Sequence, residues 1–149
     1  MKKIKICLPS PKELISLWPA LANWSQNWDF WPIDEVLKSL LSHGCFVALA
    51  TENDQVIGFV FWRYLAGEGE LLFIFVPEAG RGGGVARQLL EWSLVHLKTL
   101  GVKAVFLEVR PSNTQAIRLY EASGFNLLST RKHYYKDGED AQVFTQELA

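Results

Sequence analysis

Neither sign of charge is in excess in this sequence: fifteen Lys and Arg stand against sixteen Asp and Glu, for a formal net charge of −1. The bulk basic surface that draws in nucleic acid is therefore absent, no nucleic-acid partner is expected, and only a local basic patch stays open. Cysteine is scarce. Cys7 and Cys45 are the two present, with no CxxC spacing. They read as reduced structural residues of a cytoplasmic protein, with a disulfide between them left open. Long apolar runs are lacking as well. The longest, Leu71 to Pro77, is strand-sized, far below the ~20 residues that cross a bilayer. Met1-Lys2-Lys3 is basic, but polar–apolar alternation follows it rather than the apolar core of a secretion signal. No membrane partner is expected. The three histidines, His43, His96 and His133, show no metal spacing, so no metal is expected. No Ser-His-Asp or Cys-His set emerges.

What is present is a chain of 149 residues with six Trp and nine Phe. That length suits one domain, residues 1–149, which buries roughly 68–70% of its unfolded surface without help from a metal or disulfide. The aromatic excess implies a heavy core or a binding groove. Lys3 to Leu8 alternates with period two and reads as a strand. Ser10-Pro11 opens a helix with Leu14, Leu17, Trp18 and Leu21 on one stripe. An aromatic connection, Asn27 to Pro32, leads into a second helix from about Ile33 to Ser42, capped by Gly44.

Cys45 to Ala50 and Val56 to Leu65 form a hairpin about Glu52 to Gln55. After a turn at Gly67-Glu68-Gly69, Leu71 to Val76 is apolar on both faces, as a strand in the middle of a covered sheet is. A long helix follows, with Ala86, Leu89, Leu90, Leu94 and Leu97 inward, ending at Gly101. Then come a strand from Ala104 to Val109, a short helix capped by Asn113 and stopped at Gly124, and two strands, Phe125 to Tyr135 and Ala141 to Leu148. The order is β-α-α-β-β-β-α-β-α-β-β, an α/β fold whose mixed sheet carries helices on both faces.

Between the buried strand and the long helix stand four glycines within five residues, Gly80 and Gly82 to Gly84. Glycines there let backbone N–H groups approach a ligand with no Cβ in the way. The open N–H groups and dipole of the helix start then favour an anion, most often a phosphate. Arg81 adds a full positive charge. No Lys follows the glycines, which excludes the P-loop; counting from Gly80 or Gly82, the sixth position is Val85 or Arg87, which excludes the dinucleotide fingerprint. The pattern that fits is Arg-x-x-Gly-x-Ala, from Arg81 to Ala86.

That pattern resembles the signature of the GNAT N-acetyltransferases. A second stretch is similar too: Leu107-Glu108-Val109-Arg110-Pro111-Ser112-Asn113, then Ala116-Ile117, Leu119-Tyr120-Glu121 and Gly124-Phe125. Arg131 to Tyr135 and Asp137 to Ala141 extend the likeness, which looks like that of the bacterial ribosomal-protein-alanine N-acetyltransferases. The resemblance covers about Glu70 to the C-terminus and implies a GNAT fold with a mostly antiparallel central sheet. It implies acetyl-CoA as acetyl donor, bound by Ile74, Phe75 and Val76, by Arg81, Gly82, Gly83 and Gly84, by Val85, Ala86 and Arg87, and by Asn113 and Tyr120. It also implies Glu108 as general base, Tyr120 as general acid and a backbone N–H near Val76 as oxyanion donor.

The chemistry requires such groups. An α-amine, with a pKa of about 7.7–8.0, is mostly an ammonium at neutral pH, so something must take its proton before nitrogen attacks a thioester. From the strand pattern alone, Glu108 faces either a groove or solvent, and Tyr120 is equally at home in the core. Trp24, Trp28, Phe30 and Trp31 fill the core or wall the acceptor groove; Trp28, Trp31 and Tyr134 are the expected acceptor-binding residues. The expected partner is a protein N-terminus or a small amine, met by a monomer or homodimer. The rival functions are a small-molecule amine acetyltransferase and a non-catalytic acyl-CoA-binding module.

Overall fold

The computed structural model describes residues 3–24, 35, 38, 41–77 and 83–148. Most of the helix expected over 33–42 lies outside them, as do Trp28, Trp31, Arg81 and Gly82. The described elements run β1 (Lys5–Cys7), α1 (Pro11–Trp24), β2 (Cys45–Glu52), β3 (Gln55–Leu65), β4 (Glu68–Phe75), α2 (Val85–Thr99), β5 (Ala104–Val109), α3 (Thr114–Ala122), β6 (Asn126–Arg131) and β7 (Ala141–Glu147). Seven strands make one sheet in the order β1-β2-β3-β4-β5-β7-β6. Only β4 and β5 pair in parallel; the other ladders are antiparallel. The mixed sheet and its helices have the expected architecture, with β4 at the centre.

Local sequence explains the boundaries. The Ser10 hydroxyl accepts the Glu13 N–H at 3.1 Å, and the Glu13 carboxylate accepts the Ser10 N–H at 3.2 Å. This reciprocal cap starts α1, with Pro11 in its first turn. The β2–β3 turn needs two residues of positive φ, and Asn53 and Asp54 supply 51° and 62°. The β3–β4 turn is Ala66-Gly67 rather than Gly67 to Gly69. Its φ values of 52° and 83° again fit a two-residue hairpin, so Glu68 already belongs to β4.

One face of the sheet packs Val60, Trp62, Val105 and Leu107 against Leu89, Leu90 and Leu97 of α2 and Tyr120 of α3. The opposite face packs Val47, Leu49, Phe59 and Phe61 against Leu14, Trp18 and Leu21 of α1. No described residue of β5, β6 or β7 joins the α1 cluster, so α1 leaves that half of its face uncovered.

Two irregularities shape the middle of the sheet. Phe61 pairs with Phe73 and Trp62 with Leu71, so Leu72 is an extra residue that bends β4. The β4–β5 ladder runs from Glu68↔Ala104 to Leu71↔Leu107 and stops there. Beyond it β4 continues along β3 to Phe75, and β5 continues along β7 to Val109. The two central strands therefore part like a fork.

The last hairpin differs from expectation. β6 ends at Arg131, and the chain turns instead of continuing as a strand to Tyr135. His133 has φ 53°, and Asp140 accepts its N–H at 2.9 Å while pairing with Lys132 at 3.3 Å. Side-chain bonds thus close this loop where a ladder was expected.

Because Leu90 is fully buried under the sheet, Leu90→Ala should destabilise the protein by about 2–5 kcal/mol. Urea unfolding followed by circular dichroism would measure it.

Candidate active site

The fork and the two helices after it enclose a cleft of about 410 Å³. Ile74, Phe75 and Val76 at the end of β4 form one wall. Gly84, Val85, Ala86 and Arg87 form the second, and Asn113, Gln115, Ala116, Leu119 and Tyr120 the third. Nine of the residues expected to hold the donor thus meet in one place. Gly83 stands next to them in the chain. Arg81 and Gly82 fall outside the described residues.

The helix start has the features an anion site needs. Its first intrahelical bond runs from Gln88 N–H to Gly84 C=O at 3.0 Å. The N–H groups of Val85, Ala86 and Arg87 precede it and have no acceptor within the helix. Gly84 caps the helix with φ 76°, a conformation that costs an L-residue strain. A Cβ placed on Gly83 or Gly84 would meet no atom within 4 Å. The space above both glycines is open. The third wall begins at Asn113, whose Oδ1 accepts the Ala116 N–H at 3.2 Å and caps α3.

Gln115 and Leu119 also line the cleft, and the sequence reading missed them. They are four apart and sit one position before Ala116 and Tyr120, so the helical period around Tyr120 was the signal that could have found them. Tyr120 itself is buried, its ring edge-to-face with Phe125 at 6.0 Å. Burial, and then the neighbouring Tyr135, push its pKa well above the ordinary tyrosine value. At neutral pH it is a protonated phenol, a hydrogen-bond donor.

A second cavity, about 540 Å³, opens on the other face, where α1 leaves the sheet uncovered. Phe106, Leu128 and Val143 give it an apolar floor, and Arg63, Glu70, Glu108 and Arg131 supply charges. Alternation along β5 explains why. Val105, Leu107 and Val109 point into the core under α2 and α3, so Phe106 and Glu108 point the opposite way. Glu108 follows Leu107, the last residue paired with β4, and therefore stands at the fork.

The Glu108 side chain is only 16% exposed. Its Oε1 lies 3.4 Å from Arg131 Nη1, while its Oε2 is buried without a hydrogen-bond partner. A buried carboxylate oxygen in that state is an acceptor awaiting a donor. Tyr134 stands beside it. Burial raises the Tyr134 pKa, and Glu108 raises it further, as hydrogen-bond acceptor and as a charge. Arg131 also lies over the Tyr134 ring, 5.5 Å from its centroid.

Glu108 and Tyr120 accordingly approach the fork from opposite faces of the sheet. Trp28 and Trp31 lie outside the described residues. Among the described residues no group of three His, Cys, Asp or Glu is placed to hold a metal, and no helix is long and apolar enough to cross a membrane. Cys7 and Cys45 are free thiols.

Sequence comparison identifies the family to which this fold belongs. Residues 11–125 match the model of the Acetyltransferase (GNAT) family, and the chain belongs to that family. The [ribosomal protein bS18]-alanine N-acetyltransferase of Haemophilus ducreyi is 39% identical over 85 residues, 57% of this chain; the chain spans 59% of that relative's length. An N-alpha-acetyltransferase of Saccharolobus solfataricus is 32% identical over 136 residues, covering 83% of this chain and 80% of its own. The crystal structure of the ribosomal-protein-S18-alanine N-acetyltransferase from Escherichia coli superposes with TM-score 0.85 at 28% identity, covering 99% of this chain and 95% of that one.

The Asn113 cap has a direct test. Asn113→Ala should lower unfolding free energy by about 1 kcal/mol. Asn113→Asp, which keeps the side-chain oxygen, should retain most of it in thermal melts.

Proposed function

We propose that this chain transfers the acetyl group of acetyl-CoA directly to an amine, and that the amine is the N-terminal α-amino group of a protein. One observation carries the reading. At the parting of β4 and β5, the open N–H groups of α2 lie on one side and the unpartnered, buried Glu108 Oε2 on the other. The donor supplies an activated acetyl thioester. The open space above Gly83 and Gly84 fits its pyrophosphate, with Val85, Ala86 and Arg87 donating N–H groups and Arg81 adding charge. Ile74, Phe75, Val76, Asn113 and Tyr120 flank the arm that leads to the reacting carbon.

The acceptor enters the other cavity. Glu108 takes the ammonium proton and leaves the nitrogen lone pair free to attack. A backbone N–H near Val76 receives the charge that develops on the carbonyl oxygen. As the carbon–sulfur bond breaks, the attacking nitrogen still holds one proton more than the amide keeps, and that proton ends on the departing sulfur. A thiol has a lower ordinary pKa than a phenol, about 8.5 against 10, so Tyr120 loses no net proton. It hydrogen-bonds the sulfur while the sulfur carries charge, and relays the nitrogen's proton to it. Tyr134 flanks the base, and Trp28 and Trp31 wall the acceptor side.

The names of the Haemophilus, Saccharolobus and Escherichia relatives support a protein N-terminus over a free small amine. Acetyl-CoA turnover measured against peptides of varied N-terminal residue, beside a panel of amino acids, polyamines and aminoglycosides, decides between them. Preference for any free amine would move the acceptor assignment. Acetyl-CoA binding with no turnover anywhere would make the chain a binding module.

Two variants separate donor binding from chemistry. Gly83→Val meets open space in the free protein, so Tm should hold while acetyl-CoA affinity collapses in calorimetry. Unchanged affinity would show that the phosphate site is elsewhere. Glu108→Gln should lower kcat by about 10²–10⁴-fold with acetyl-CoA affinity nearly intact. A fully active variant would remove Glu108 from the mechanism.

A further inference from the structure

Glu108 stands on β5, yet a short segment from beyond β6 packs beside it. That segment is Tyr134-Tyr135, in the loop between β6 and β7. Tyr135 is buried and meets the Tyr134 ring edge-on at 5.1 Å, and Arg131, which pairs with Glu108 at 3.4 Å, lies over the Tyr134 ring. The loop is not held there by strand pairing, since β6 has already ended at Arg131.

Arg110, the first residue after β5, holds it. Its Nη1 pairs with Asp137 Oδ2 at 2.8 Å and with Glu139 Oε1 at 2.9 Å. Its guanidinium covers the Tyr135 ring, 4.0 Å from the centroid. Glu139 then uses its other oxygen, Oε2, to accept the Ser112 N–H at 3.0 Å, one residue before the Asn113 cap. Within the loop, Tyr135 N–H donates to Glu139 C=O at 3.0 Å and Gly138 N–H to Tyr135 C=O at 2.9 Å. The Arg110 and Glu139 side chains are 23% and 26% exposed while Asp137 is 62% exposed, so Glu139 is the firmer of the two anchors.

We propose that Arg110 is a positioning residue that clamps the Tyr134-Tyr135 segment and thereby sets the position of Tyr134 beside Glu108. The inference rests on the catalytic reading of Glu108. The shape of the side chain matters as much as its charge. A planar guanidinium bridges two carboxylates while stacking on a ring; an ammonium is a point charge that cannot do all three. Arg110→Lys therefore keeps the charge and loses the clamp. The reach to chemistry is short, and a misplacement of about 1 Å at a reacting centre costs on the order of 100-fold in rate.

The test compares wild type with Arg110→Lys and Glu139→Gln in three measurements. Hydrogen exchange follows the amides of Ser112, Tyr135, Gly138 and Glu139. Calorimetry gives acetyl-CoA affinity, and steady-state kinetics use the best peptide acceptor. Arg110→Lys should lose protection at those amides, keep its acetyl-CoA affinity, and lose about 100-fold in kcat/KM. Glu139→Gln should act in the same direction, and the double variant should be no worse than Arg110→Lys alone, as for groups working as one unit. Unchanged protection in Arg110→Lys would overturn the clamp. Lost protection with unchanged kcat/KM would overturn its part in catalysis, as would strictly additive losses in the double variant. A wild type that acetylates nothing would instead refute the acetyltransferase reading, and the exchange measurement would then decide the clamp by itself.

Discussion

Two neighbouring strands in a sheet normally stay paired, because each backbone N–H and C=O needs a partner and the next strand supplies it. β4 and β5 give that up after Leu71 and Leu107, and the rest of the site follows from their parting. The extra residue Leu72 turns β4 along β3, while β5 keeps to β7. The gap sits at the centre of the sheet and under the start of α2. It therefore connects the two faces of the molecule at the point where a helix terminus and a buried carboxylate converge.

The two faces are kept chemically distinct. On one, burial under α2 and α3 makes a narrow cleft with backbone donors at its mouth and a neutral phenol deep inside. On the other, α1 packs on β2 to β4, and among the described residues β5 to β7 carry a charged groove over an apolar floor. The period of β5 enforces the division, since it turns Leu107 inward and Glu108 outward within two residues.

Much of this was legible because it is local. Gly84 and the Asn113 cap are short signals in which the residue answers a backbone requirement. The long helix and its buried stripe follow from period alone, as Leu89, Leu90 and Leu97 show. What sequence hid was long-range. The β4 bulge depends on pairing with β3 and leaves no mark on Leu72 itself. The β3–β4 turn escaped because Ala66 adopts a positive φ that alanine seldom takes. The last hairpin was read as strand up to Tyr135 because its residues favour strands. Bonds from Asp140 and Arg110, distant in sequence or beyond the turn, override that preference. Arg110 was visible as part of a motif, but its partners 27 and 29 residues away were not.

The central claim is that donor and acceptor sites occupy opposite faces and meet at the fork. Amide chemical shifts recorded while coenzyme A and then an acceptor peptide are titrated test it most directly. Coenzyme A should move the resonances of Val85, Ala86, Arg87 and Asn113, and the peptide those of Phe106, Arg131 and Tyr134, with Glu108 responding to both. Coenzyme A shifts centred in the groove of Phe106 and Arg131, or a peptide displacing coenzyme A from the α2 terminus, would contradict the account.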